Sequence, residues 1–105
     1  MVSSTEVLPG NVYGIPDEEG GYGVVKVLSV EPEGIHLRFY MNDFQELPQR
    51  IDPDTLEWFL GHTPLSKAAW QDLYEKAVLI ENVPVTEEEL EGYQYWRLEH
   101  GGYFA

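Results

Sequence analysis

Three histidines, four serines and a large surplus of carboxylates are the side chains of this sequence equipped to do chemistry. His36, His62 and His100 never fall three or four residues apart, so no helical pair of metal ligands arises. Taken singly they read as an exposed strand histidine, a loop histidine and a helix-end histidine, the last suited to the negative end of a helix dipole. Ser3, Ser4 and Ser66 flank elements, and Ser29 lies in an expected strand; none stands in the glycine elbow that exposes a hydrolase nucleophile. The absence of cysteine excludes a thiolate nucleophile, a thiolate metal site and a disulfide framework. Asp17, Glu18 and Glu19 sit on a turn tip, whereas general acid-base work needs a carboxyl in a less polar cleft. Asp52 and Asp54 flank a proline and lack the glycine and terminal glutamate of a calcium loop. Gly20-Gly21-Tyr22-Gly23 has the composition of a phosphate loop, but neither a following helix nor a lysine or serine placed for the phosphate. The sequence therefore announces no catalytic residue, no metal and no cofactor.

Binding chemistry is better represented. Nineteen acids against six bases give a net charge of −13 over 105 residues. Nine acids and three bases fall in residues 1–52, ten and three in residues 53–105, so the charge is spread through the chain and is no acidic tail. Such a surface repels nucleic acid and anionic membranes, and it draws in basic partners as well as maintaining solubility. Aromatic residues make up 13% of the chain, and most must fill a core. Tyr40 and Tyr95 fall off the apolar stripes, and a tyrosine among acids is a natural anchor for a basic protein. The candidate partner-binding set is Asp17, Glu18, Glu19, Tyr40, Asp43, Glu87, Glu88, Glu91 and Tyr95. The sequence sets no oligomeric state.

The elements that must carry these residues follow from period and punctuation. Pro9-Gly10 is a turn signal, and Val12, Tyr13 and Ile15 read as a first strand. A polar turn over residues 16–21 leads to a second strand, Tyr22 to Val30, with a bulge or sharp bend expected at Gly23. Glu31-Pro32-Glu33-Gly34 suits a type I turn. In the third strand Ile35, Leu37, Phe39 and Met41 alternate with His36, Arg38 and Tyr40, the pattern of a half-buried antiparallel strand. Residues 42–50 read as a loop. Leu56 to Leu60 is a fourth strand or a helical turn, broken by Gly61-His62. Thr63-Pro64 opens a helix to about Lys76. Val78 to Val85 is an edge strand or an extended connector. Thr86 and Glu89 form a capping box for a last helix ended by Gly101-Gly102, and Tyr103-Phe104 is free to dock on the core.

The chain thus reads as one α+β domain, β-rich over 11–60 and helical over 63–100, with a small bent antiparallel sheet of three to five strands of SH3-like form followed by two helices. The N-terminus has no basic region and no apolar run, so no signal peptide is expected. The longest apolar run, Ala77 to Ile80, falls far short of the ~20 residues that span a bilayer. A cytoplasmic location is expected.

One stretch carries a resemblance. Leu8-Pro9-Gly10-Asn11-Val12-Tyr13-Gly14-Ile15-Pro16, an acidic turn, then Gly21-Tyr22-Gly23-Val24-Val25-Lys26-Val27 and the later Leu37-Arg38-Phe39-Tyr40 resemble the opening of the immunity protein 26 family, associated with bacterial polymorphic toxin systems. Asn11 stands where an aspartate is commoner in that family, and Val24 where a second aromatic is common. The resemblance covers about residues 8–45, and no catalytic residue transfers with it. It implies a protein that neutralises a basic toxin; a structural or regulatory module of a larger assembly is the alternative, and an enzyme with an uncharted site a third.

Overall fold

The computed structural model describes residues 7–40, 44–50, 56–99 and 101–104. The alternation of Ile35 to Tyr40 is realised in a strand, yet both of its sides are covered. Chain order is β1 (Asn11–Pro16), β2 (Tyr22–Glu31), β3 (Gly34–Tyr40), β4 (Trp58–Ser66), α1 (Lys67–Tyr74), β5 (Val78–Asn82) and α2 (Glu91–Leu98). The strands form one antiparallel sheet in the order β4-β3-β2-β1-β5. The architecture is α+β, and the sheet is not closed into a barrel.

On one face Tyr13, Val25, Val27, Ile35 and Leu37 pack beneath α1, whose Trp70, Leu73 and Tyr74 cover them. Trp70 and Tyr74 meet the Tyr13 ring edge-on, with centroids 5.6 and 5.9 Å away. On the other face Val12, Val24 and Tyr40 pack with Phe44, Leu56, Ile80 and Val83. Each buried aliphatic side chain stabilises the fold by about 1.5–3 kcal/mol. Lys26 and His36 also point to this second face and are fully buried.

Two irregularities decide what that second face presents. In β2 the register with β3 slips between Val27 and Ser29, so Ser29 pairs with His36. The extra residue, Leu28, turns Ser29 and Glu31 onto the same face as Lys26. In β4 the partners of Leu37 and Phe39 are Thr63 and Leu60, so Gly61 and His62 together oppose Arg38. That bulge brings the His62 ring over His36.

Several expectations change. Gly61-His62 does not break the fourth strand but bulges within it. Thr63-Pro64 is strand, not helix start: β4 runs to Ser66, whose hydroxyl accepts the Ala69 amide and caps α1 three residues later. A proline tolerates this place because β4 is an edge strand. The helical half expected over 63–100 is interrupted by β5, which returns to pair with β1. No bulge forms at Gly23; the β1–β2 register runs evenly past it. The capping box at Thr86 forms, but residues 87–90 make a turn and α2 begins at Glu91. Tyr40 is core, only 5% exposed, because the second face is covered. Met41, Asp43, Asp52, Asp54 and His100 lie outside the described residues.

The Thr63 hydroxyl is buried with no hydrogen-bond partner among the described residues. A buried unpaired hydroxyl costs about 1–3 kcal/mol. Thr63→Val, which keeps shape and removes the oxygen, should therefore raise the unfolding free energy by about 1 kcal/mol in a urea titration; a loss of stability would mean the hydroxyl is bonded.

Candidate functional site

The turn at residues 87–90 and the helix α2 that follows it are held from beneath by polar groups. Lys26, 1% exposed, projects from the middle of β2 toward the segment that precedes α2. Its ammonium donates to Glu89 Oε1 at 2.9 Å, to Glu89 Oε2 at 3.0 Å and to the Pro84 carbonyl at 3.2 Å. Three protons thus meet three acceptors, the condition for burying a charge. Glu89 Oε1 also accepts the Thr86 amide at 2.9 Å, and the Glu89 amide donates to Thr86 Oγ1 at 3.2 Å. One carboxylate therefore both closes the capping box and neutralises the buried lysine. Burial alone would raise the Glu89 pKa, but the Thr86 amide, Lys26 and Arg38 together hold it below the ordinary carboxylate range.

A second cluster fixes the helix itself. His36, 0% exposed, has both ring nitrogens occupied: Nδ1 lies 2.7 Å from His62 Nε2, and Nε2 lies 2.9 Å from the Tyr103 hydroxyl. The two imidazoles stack at 4.9 Å. Tyr93 and Trp96 of α2 and Tyr103 of the C-terminal segment meet His36 edge-on, with centroids 4.8, 4.4 and 5.3 Å away. The Tyr93 hydroxyl donates to Glu31 Oε2 at 2.8 Å, and the Ser29 hydroxyl donates to the same oxygen at 2.7 Å. Gly92 sits against His62, where a Cβ would lie 2.7 Å from the His62 Cβ, so the helix closes this tightly only with glycine there. Trp96 Nε1 donates to the Gly102 carbonyl at 2.9 Å, and the Phe104 backbone pairs with Pro64 and Ser66 of β4.

The short His36–His62 contact has room for one proton between its two nitrogens, so protonating both rings fully would set two N–H groups against each other. Burial, then the neighbouring His36, pushes His62 down to about 4, and burial lowers His36 against the pull of Glu31. With every lone pair of its ring committed to protein, His36 has none for a substrate or metal. Among the described residues no group of three or more histidine, aspartate or glutamate side chains is arranged to hold a metal ion. Nor, among them, is any helix long and apolar enough to cross a membrane.

The expected partner-binding residues fall into separate places. Glu87, Glu88 and Glu91 come together, lining one shallow hollow with Gln94. Beside them Tyr95 is 72% and Leu98 77% exposed, two large apolar side chains on the outward side of a helix whose Tyr93 and Trp96 face in. Asp17, Glu18 and Glu19 are exposed on the β1–β2 turn, at the opposite end of β2 from Glu31. A ten-residue strand at about 3.3 Å per residue puts them roughly 30 Å from Glu31, which Tyr93 of α2 reaches, and about half that from Lys26, which Glu89 reaches. Tyr40 is in the core and joins neither group. Sequence reasoning missed Lys26, His36, His62 and Tyr103 as a set. One signal was available: Lys26 interrupts a run from Val24 to Val30 too apolar for a strand with one wet face.

Comparison with protein-family models, with curated proteins and with solved structures finds no match.

Two outcomes follow from these pins. Lys26→Met leaves the Glu89 carboxylate buried and unpaired, and should cost about 3 kcal/mol in urea unfolding. Adding Glu89→Gln, which keeps the capping box and removes the charge, should restore more than half of that loss; no recovery would show that the pair does not act through charge. The depressed histidines make the unfolded chain bind more protons than the folded one between pH 6.5 and about 4. Their contribution is complete above 6.5 and declines as pH falls through that window. Glu31 and Glu89, lowered from 4.5, add acid sensitivity only below it. The urea midpoint should drop between pH 7 and pH 5 in the wild-type chain and drop less in His62→Gln; an equal drop would remove the histidines from the account.

Proposed function

We propose that the chain is a non-catalytic protein-binding domain that captures a basic protein through the outward side of α2. The observation that carries this is the pairing of Glu87, Glu88 and Glu91 with exposed Tyr95 and Leu98 along α2 and the turn that leads into it, both fixed from beneath. Carboxylates steer a cationic partner to the surface, and the aromatic and aliphatic side chains supply contacts that exclude water. The net charge of −13 acts in the same direction over the whole molecule. The resemblance of residues 8–45 to the immunity protein 26 family suggests the kind of partner, a basic toxin such as a nuclease, met in the cytoplasm.

A structural or regulatory module of a larger assembly is the second reading. It is favoured by β5, an edge strand whose Val78 and Leu79 are exposed. The two readings differ in salt dependence. A tagged chain immobilised in lysate of its own host should retain one basic protein at low salt and release it at high salt. Glu87→Lys, Glu88→Lys and Glu91→Lys combined should slow association with that protein by tenfold or more at low ionic strength. An unchanged rate would take α2 out of the proposal, and a salt-insensitive complex with neutral or acidic proteins would favour the assembly module.

A further inference from the structure

Position 23 is where the α1-covered face of the sheet lacks a side chain. Gly23 pairs with Ile15 across β1 and β2, and so stands on the face that carries Tyr13, Ile15 and Val25. A Cβ built there would meet nothing within 4 Å, and the backbone at Gly23 is not left-handed. No turn and no close approach of the chain calls for glycine at this position; its effect is to leave room. The helix covering this face ends at Tyr74, and beyond its Leu73 the sheet opens into a hollow of about 260 Å³ lined by Ile15, Pro16, Val25, Phe39 and Leu73, with Asp17 at one side.

A second hollow, lined by Asp17, Glu19, Gly21, Phe44 and Gln45, adjoins the first, and Asp17 belongs to both. The Asp17 carboxylate is held in place there: its Oδ1 accepts the amides of Glu19 and Gly21, each at 2.9 Å. An apolar cleft thus opens beside a fixed acidic turn that also carries exposed Glu18. Its volume is below the ~300–1,000 Å³ usual for small-molecule sites. A second copy of this chain is disfavoured as the occupant, since each copy brings a charge of −13 to the same rim.

We infer that this hollow receives one apolar side chain of the basic partner, from a segment in which that side chain is flanked by lysine or arginine. The inference rests on the proposal that the partner is basic, and it assigns the anchor point to a surface remote from α2. Two separated contacts on one partner would also make the complex slower to dissociate than either contact alone.

The test uses isotope-labelled full-length protein at low ionic strength and a blocked pentapeptide with a central leucine between two pairs of lysines. The amide of Gly23 and the methyl groups of Ile15 and Leu73 should shift and saturate. Replacing the central leucine by serine should weaken binding by roughly tenfold. Gly23→Leu, which fills the hollow from within, should abolish those shifts; Gly23→Ala, the smaller change, should reduce them and keeps the test open if the leucine variant does not fold. Shifts confined to Glu87, Glu88 and Glu91, equal for both peptides, would overturn the hollow and leave capture of a basic partner standing. No shift in either place would overturn both.

Discussion

A lysine ammonium in the middle of a buried strand is the constraint on which the second face of this protein depends. Lys26 cannot stay charged there without a carboxylate, and the chain supplies it from 63 residues further on, in Glu89. That requirement fixes where the segment before α2 must lie. Glu89 in turn accepts the Thr86 amide, so the turn leading into the helix is set by the same side chain. The direction of α2 is then locked by a second polar set, the His36–His62 pair with Tyr93, Trp96 and Tyr103 around it. Neither set has the packing tolerance of a hydrocarbon contact. Each carboxylate, ammonium and imidazole nitrogen needs its partner at a particular distance, so the helix has one seat rather than several.

The functional reading follows from that rigidity. With Glu89 of the preceding turn and Tyr93 and Trp96 of α2 held on the inner side, Glu87 and Glu88 of that turn and Glu91, Tyr95 and Leu98 of the helix face solvent. Large apolar side chains so exposed contribute nothing to this fold, and charges on a fixed helix are pre-organised for a cation. The other acidic surface, the Asp17 turn, lies at the far end of β2 and is rigid for a different reason, the two amides that Asp17 accepts. A partner wide enough to touch both would be gripped at two separated points by a protein that does not have to rearrange.

Much of this was legible in the residues. The three-strand meander, an edge strand or extended connector over residues 78–85 and the capping box follow from local pattern and turn chemistry, which also left Tyr103-Phe104 free to dock. The single wet face expected for β3 did not, because alternation reports the chemistry of two faces and not what covers them. His36, Arg38 and Tyr40 look like a solvent side until α2, Phe44 and Leu56 are placed on it. The Gly61-His62 bulge was misread as a strand end, since glycine beside a polar residue punctuates both. Thr63-Pro64 has the form of a helix start and was overruled by pairing with β3, while the Ser66 hydroxyl took the capping role. The histidine pair was invisible for a simpler reason: 26 residues separate His36 from His62, and only the pairing of β3 with β4 brings them together.

The most direct test of the account is native-state hydrogen exchange on the wild-type chain. If the buried ion pair and the histidine cluster pin α2 to the sheet, the amides of Gln94 to Leu98 should exchange only through the opening that also exposes Val25 and Leu37 in β2 and β3, with the same dependence on urea. Fast exchange of the α2 amides by local opening, with the sheet still protected, would mean that the helix is not held and that its acidic face is not a fixed surface.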